Sequence, residues 1–190
     1  MSNIEIDTPE TSDNSFKSKA ALVVSIFAMI LALSNIGSSN ASGEATEQNI
    51  LAANVYSFFQ AKNIRQTQYK LSADNLEISL SNSEKLNPTT KALMEKKLEG
   101  YKKTIERYES EPETGEGKKE LLHKAKEHEK IRDKALLKDP WLDYAEGLLQ
   151  VSIVLASVAI VTTTPALLTG SVVLGLLGTL STINGYYLII

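Results

Sequence analysis

No charged residue occurs anywhere in residues 147–190, so the last 44 positions form one uncharged, strongly apolar block. Crossing a hydrocarbon core of ~30 Å takes ~20 apolar residues in one helix, and this block holds two such lengths. Pro165 divides it, because proline at a first helical position forfeits no hydrogen bond and the preceding "TTT" tolerates a turn. We therefore read 147–164 and 165–190 as two transmembrane helices that reverse at Pro165. A third apolar stretch, residues 20–37, follows Lys17 and Lys19 and is long enough to be the first span. The small residues "SSNA" ahead of Ser42 resemble a leader cleavage site, which is the competing reading of that stretch.

Charge is concentrated elsewhere. Of the 20 Lys and Arg, 18 fall within residues 62–138, where acidic residues intermix with them, and the net charge is only −3. The basic field that nucleic-acid binding requires is missing, so no nucleic-acid partner is expected. With no cysteine there is no disulfide, thiol chemistry or thiolate metal site.

Each span carries small residues at spacings of three and four. Ala21, Ser25, Ala28, Ala32 and Asn35 form one ladder, Ser152, Ala156, Ala159 and Thr163 a second, and Ser171, Gly175, Thr179 and Thr182 a third. In lipid, helices associate through close approach over small side chains and through Ser, Thr or Asn hydrogen bonds. These ladders are read as packing faces, within one chain or between chains.

The expected architecture is all-α: an integral membrane protein with a polar arm (1–19), three transmembrane helices, and a long, coiled-coil-like extramembrane helical hairpin (38–146) between spans 1 and 2. Within the hairpin, Ile50, Asn54, Ser57 with Phe58, Ala61, Ile64, Gln68 and Leu71 share one helical face, whose polar tinge points to a partner helix instead of a deep core. Asn87 followed by Pro88 marks a helix start, after which Met94, Leu98, Tyr101, Ile105 and Tyr108 alternate at four and three, a short coiled-coil pattern. A loop at 110–119 precedes a helix to Leu137, and helices of ~23 residues give an arm of about 35 Å. Asp139 and Pro140 read as a second capped start, with Trp141 and Tyr144 at an interfacial level ahead of the second span. Tyr56, Phe58 and Phe59, which cannot all face one way on a helix, are candidates for contact with more than one neighbour, together with Arg65.

The stretches "YSFFQAKNIRQTQYKL" and "DYAEGLLQVSIVLASVAI", with the single apolar span ahead of both, resemble the bacterial family called domain of unknown function 4337. The resemblance implies a membrane protein with a helical insertion between its first two spans. It supplies no catalytic or binding residue to carry over.

No catalytic, cofactor-binding or metal site is expected. His123 and His128 lie five apart, a poor spacing for a helical metal pair, and are read as solvated. "GEG" lacks the spacing of a dinucleotide loop. Glu109, Glu111, Glu113 and Glu116 surround the turn without the alternation of a calcium loop. Gln60, Asn63, Arg65 and Gln66 are read as a polar seam, with Glu127 or Glu129 as partner for Arg65. The function expected is a membrane-anchored scaffold or interaction protein in the bacterial inner membrane, N-terminus cytoplasmic, self-associating or docked on another membrane protein. The alternative is a channel or sensor subunit whose pore is lined by Asn35, Gln150, 162–164 and Asn184. An enzyme is not expected, because no nucleophile, base and orienting group occur together.

Overall fold

The computed structural model describes residues 9–82 and 87–189. Residues 1–8 of the expected arm and Ile190 of the expected third span lie outside them. The described residues form four helices and no strand: α1 (Pro9–Ser81), α2 (Pro88–Glu109), α3 (Lys118–Thr162) and α4 (Pro165–Tyr187). Three of these, α1, α3 and α4, are long and apolar enough to cross a membrane. The chain divides into two units. The first comprises residues up to Ala45 and those from Asp133 onward, and the second comprises Thr46–Arg132.

α1 runs unbroken from Pro9 through residues 38–43 to Ser81. One expected boundary is corrected. Asp139 is not a cap and Pro140 not a start: α3 is continuous through both. Its buried positions explain why. Leu121, Ala125, Ala135, Leu142, Ala145, Leu149, Ser152, Ala156 and Ala159 keep one face inward at heptad-compatible intervals, whereas Pro140 lies on the exposed side. Packing along that face holds the helix together despite the hydrogen bond that proline removes.

The first unit is a three-helix bundle in which α4 runs parallel to α1 and antiparallel to α3. Thr163 adopts a left-handed conformation (φ 52°), and Thr164 is the N-cap that sets Pro165 at the first position of α4, so the reversal falls where the sequence places it. Small residues make the contacts. Ser152 and Ser171 each donate a hydroxyl to the other's carbonyl at 2.7 Å, Ser181 donates to the Trp141 carbonyl at 2.6 Å, and Gly178 and Gly185 lie against Leu149 and Leu142. Between α1 and α4, Ser34 and Thr182 share a hydrogen bond at 2.7 Å, Tyr186 donates to the Leu33 carbonyl, and the ring of Phe27 lies on Gly175.

Of the three small-residue ladders, the second has Ser152, Ala156 and Ala159 buried, with Thr163 exposed at its end. The third is inward-facing, with Ser171, Gly175 and Thr182 buried and Thr179 half-buried. Among the described residues of the α1 ladder, only Asn35 has a partner in the bundle, Glu146. Ser25, Ala28 and Ala32 are exposed, and Ser25 returns its hydroxyl to the Ala21 carbonyl. The inward face of α1 is instead Ala20, Phe27, Ser34, Gly37 and Ala41, offset by about one residue from the expected one. A single bulky ring, Phe27, breaks the small-residue pattern that the sequence advertises.

Candidate functional site

In the second unit α1 meets its two partners in succession. Along residues 48–66 it faces α3, through Gln48 to His128 at 2.7 Å, Asn49 to Arg132 at 3.3 Å and Asn63 to Lys118 at 3.0 Å. Along 66–77 it faces α2, through Gln66 to the Ile105 carbonyl at 2.9 Å, Tyr69 stacked edge-on to Tyr101 at 5.4 Å, and Glu77 to Lys102 at 2.6 Å. Both partners run antiparallel to α1. The hairpin is thus one long helix with two shorter helices returning in turn along it.

The turn between α2 and α3 is built for this. Ser110 ends α2 in an extended conformation. Gly115 takes φ +66°, a region that favours glycine, and Gly117 packs so closely on the backbone of Ser110 and Glu111 that a β-carbon has no room. Glu120 fastens the start of α3 to the end of α2 by accepting from the Ser110 hydroxyl at 2.6 Å and the Glu111 amide at 3.1 Å. Those bonds hold its carboxyl below the ordinary carboxylate range.

A polar cluster lies beneath the turn. Gln66, 2% exposed, donates to the Ile105 carbonyl and to Glu109 at 3.0 Å, and accepts from Lys118 at 2.8 Å. Lys62, 6% exposed, pairs with Glu116 at 3.4 Å and Glu111 at 3.7 Å. The Gln66 amide first, then Lys118, keeps the Glu109 carboxyl below its usual range. Three of the four carboxylates around the turn are therefore occupied by lysines, while Glu113 is exposed. Among the described residues, no three His, Cys, Asp or Glu side chains converge as metal ligands do.

The aromatic stretch covers this cluster. Phe58 lies 5.4 Å and Tyr108 5.7 Å from the Lys62 ammonium, and Phe59 lies 5.8 Å from that of Lys118. Cation–π contacts of this kind gain when partly desolvated. Tyr56 is half-buried, with Glu129 as its hydrogen-bond partner. Phe58, 42% exposed, and Arg65 remain on the outside. Among the described residues Arg65 makes no ion pair with Glu127 or Glu129; it borders an open groove with Gln68, Tyr69, Ser72, Tyr101 and Tyr108. Of the expected polar seam, Asn63 and Gln66 take part and Gln60 does not. His123 is exposed as expected, but His128 is half-buried against Gln48.

The α1 stripe read as meeting a partner helix is not covered by α2 or α3. Ile50, Asn54, Ser57, Ala61, Ile64, Gln68 and Leu71 are all exposed, and the inward positions are Ala52, Lys62, Gln66 and Ala73, with Val55, Phe59, Tyr69 and Leu76 half-buried. The α2 stripe, in contrast, is inward-facing as read: Met94, Leu98, Tyr101, Ile105 and Tyr108 are half-buried.

Of the polar span positions, Gln150, Thr162 and Thr163 are exposed, whereas Asn35, Asn184 and, next to the first span, Ser38 have partners. Asn184 accepts from the Ile189 amide at 2.9 Å, the Asn35 amide donates to Glu146 at 2.7 Å, and Ser38 donates to Asp139 and Asp143 at 3.2 and 3.0 Å.

This sequence is matched over residues 16–188 by the model of a family described as a domain of unknown function (DUF4337). The chain belongs to that family. The DUF4337 match extends over both units and all three candidate spans. No curated protein and no solved structure matches the chain.

Proposed function

We propose that the chain is a non-catalytic, membrane-anchored helical scaffold of the bacterial inner membrane. Its three spans hold it in the bilayer with the N-terminus cytoplasmic, and its second unit presents helix surface to further copies or to another membrane protein. One observation carries this reading. In a stretch whose other exposed positions are polar apart from Phe58 and two alanines, Ile50, Ile64, Leu71 and Ile78 lie 56–60% exposed on α1, and apolar surface kept in contact with water at regular intervals marks an interaction face. The Lys and Glu side chains that could have supplied reactive groups are spent on one another beneath the turn.

Copurification from native membranes, with the mass of the intact assembly, tests the proposal. More than one polypeptide per assembly is the expected result. A chain recovered alone and unaccompanied overturns it.

A further inference from the structure

Among the described residues, α1 in the second unit is met by α3 over 48–63 and by α2 over 69–77, with both reaching Gln66, so one side of α1 is covered and the opposite side is exposed. The uncovered side has its own repeat. Ile50, Ser57, Ile64, Leu71 and Ile78 recur every seven residues, and Asn54, Ala61, Gln68 and Asn75 stand four residues beyond the first four of them. All nine are exposed and none is charged.

We infer that this face pairs with the same face of a second copy, as a parallel, in-register two-stranded coiled coil. The inference rests on the scaffold reading and names its partner. A strict seven-residue repeat matches another helix and nothing flatter. The amides choose which helix. In register, Asn54 meets Asn54, Gln68 meets Gln68 and Asn75 meets Asn75, and a carboxamide, with both donors and an acceptor, complements itself. An unrelated apolar helix would bury those amides unpaired, at ~1–3 kcal/mol each. Polar residues at such positions fix register at some expense of stability.

Direction follows from α1 being one helix from its span to Ser81, since two copies inserted alike in one bilayer present it alike. An antiparallel pair would instead layer Asn54, Gln68 and Asn75 against the Ile, Leu and Ser positions, leaving the amides without one another. The flanks agree with the parallel arrangement: Gln60 falls beside the partner copy's position 65, an arginine, and Asp74 beside position 79, a serine, with no like charges opposed. Phe58, exposed in one copy, would be covered beside position 53 of the other. The stripe is ~42 Å long on a helix ~10 Å wide, a footprint of about 400 Å² per copy and so at the weak end of specific interfaces. Confinement to one bilayer raises the effective concentration that such a contact needs.

The chain has no cysteine, so single cysteines report this geometry directly in the full-length protein in native membranes. Under mild oxidation, Ile64→Cys, Gln68→Cys and Leu71→Cys should shift to twice the chain mass, because a disulfide needs the two Cα atoms within ~7 Å. Lys70→Cys, on another exposed face, should not shift. Adding Ile64→Glu to the Leu71→Cys chain should abolish the shift with helicity unchanged. No dimer at the seam positions, equal dimer at Lys70, or a dimer that survives Ile64→Glu overturns the inference. The intact mass from the same membranes separates the two readings: several polypeptides without seam crosslinks leaves the scaffold standing and removes this interface, and a lone chain removes both.

Discussion

The contact of Phe27 with Gly175 is the point where the three-helix bundle of the first unit is most sensitive to a single added carbon. A β-carbon on Gly175 falls within the Phe27 ring, and Phe27 is buried, so the ring must leave or α1 and α4 must separate. For Gly175→Ala, overpacking of ~1–3 kcal/mol is opposed by the ~0.8–1 kcal/mol that alanine gains over glycine in a helix. The net loss is therefore small, about 0–2 kcal/mol. Gly175→Leu has no such offset. Moving Phe27 into lipid forfeits little transfer free energy, because lipid tails are as apolar as the bundle interior. What is lost is close packing and, one heptad along, the buried hydrogen bond between Ser34 and Thr182, for which ~0.6–2 kcal/mol is the range in membrane helices. We expect Gly175→Leu to lose roughly 2–4 kcal/mol. The assay is a double-mutant cycle with Phe27→Ala, followed by denaturant or thermal unfolding of purified protein in detergent. Removing the ring frees the space, so the leucine should cost markedly less in the Phe27→Ala background, with a coupling of ~1–3 kcal/mol. A Gly175→Leu chain that melts like the parent refutes the reasoning, as does a cycle with no coupling.

Three further outcomes are expected. Gln66→Leu should lower stability by ~1–3 kcal/mol, since it strips partners from the Ile105 carbonyl, Glu109 and Lys118, while Gln68→Leu, on the exposed face, should not lower it; equal melting temperatures would dismiss the buried cluster as a stabilising element. Glu109 and Glu120 have carboxyl groups held below their ordinary range by Gln66 and by Ser110 respectively, so the stability they contribute is present above the ordinary carboxylate pKa of ~4.3 and is lost as pH falls through the lower folded values. Acidification from about pH 6 to about pH 3 should therefore destabilise the parent more than the Glu109→Gln, Glu120→Gln double variant, as read by urea unfolding at each pH, and identical pH profiles would dismiss the effect. If the N-terminus is cytoplasmic, the exposed Glu113 lies on the far side of the membrane, and Glu113→Cys should react with a membrane-impermeant thiol reagent in intact cells; reaction only after lysis reverses the orientation.

Element type, and the presence of three helices long and apolar enough to cross a membrane, were legible because they depend on local features: a 44-residue uncharged run, a proline at the start of α4, and the four-three alternation from Met94 to Tyr108. Continuity was not. Residues 37–43 are rich in Gly, Ser and Asn, yet they are helical and Gly37 and Ala41 are buried; the low helix propensity of most of them is overridden because small residues are what close approach requires. Pro140 misled for the reverse reason, since its local signal is a helix start and only the buried face running from Leu121 to Ala159 shows that the helix never stopped. The inner face of α1 was hidden by chemistry. Hydrophobicity selects Ile50, Ile64 and Leu71, whereas the buried positions include Lys62 and Gln66, whose partners Glu109, Glu111, Glu116 and Lys118 lie some forty to fifty-five residues away. A sequence read locally cannot count those bonds, so it does not find the polar side that faces α2 and α3.

The two faces of α1 are also physically coupled. Inner positions 45, 52, 59, 66, 73 and 80 recur every seven residues, and so do outer positions 50, 57, 64, 71 and 78. A straight helix drifts ~20° per heptad against such a repeat, so over four heptads an outer stripe would swing by roughly 80° and leave any straight partner. Keeping the inner face against α3 and then α2 requires the left-handed coiling that cancels this drift, and the same coiling carries the outer stripe along one continuous line. The inner contacts do not, however, require anything apolar on the outside: Ile50, Ile64, Leu71 and Ile78 could be lysine without disturbing Gln66 or Tyr69. Their presence adds nothing to the fold of a single chain and exposes apolar surface to water. Only a partner that follows the same coil offsets that exposure, and a second α1 follows it by construction.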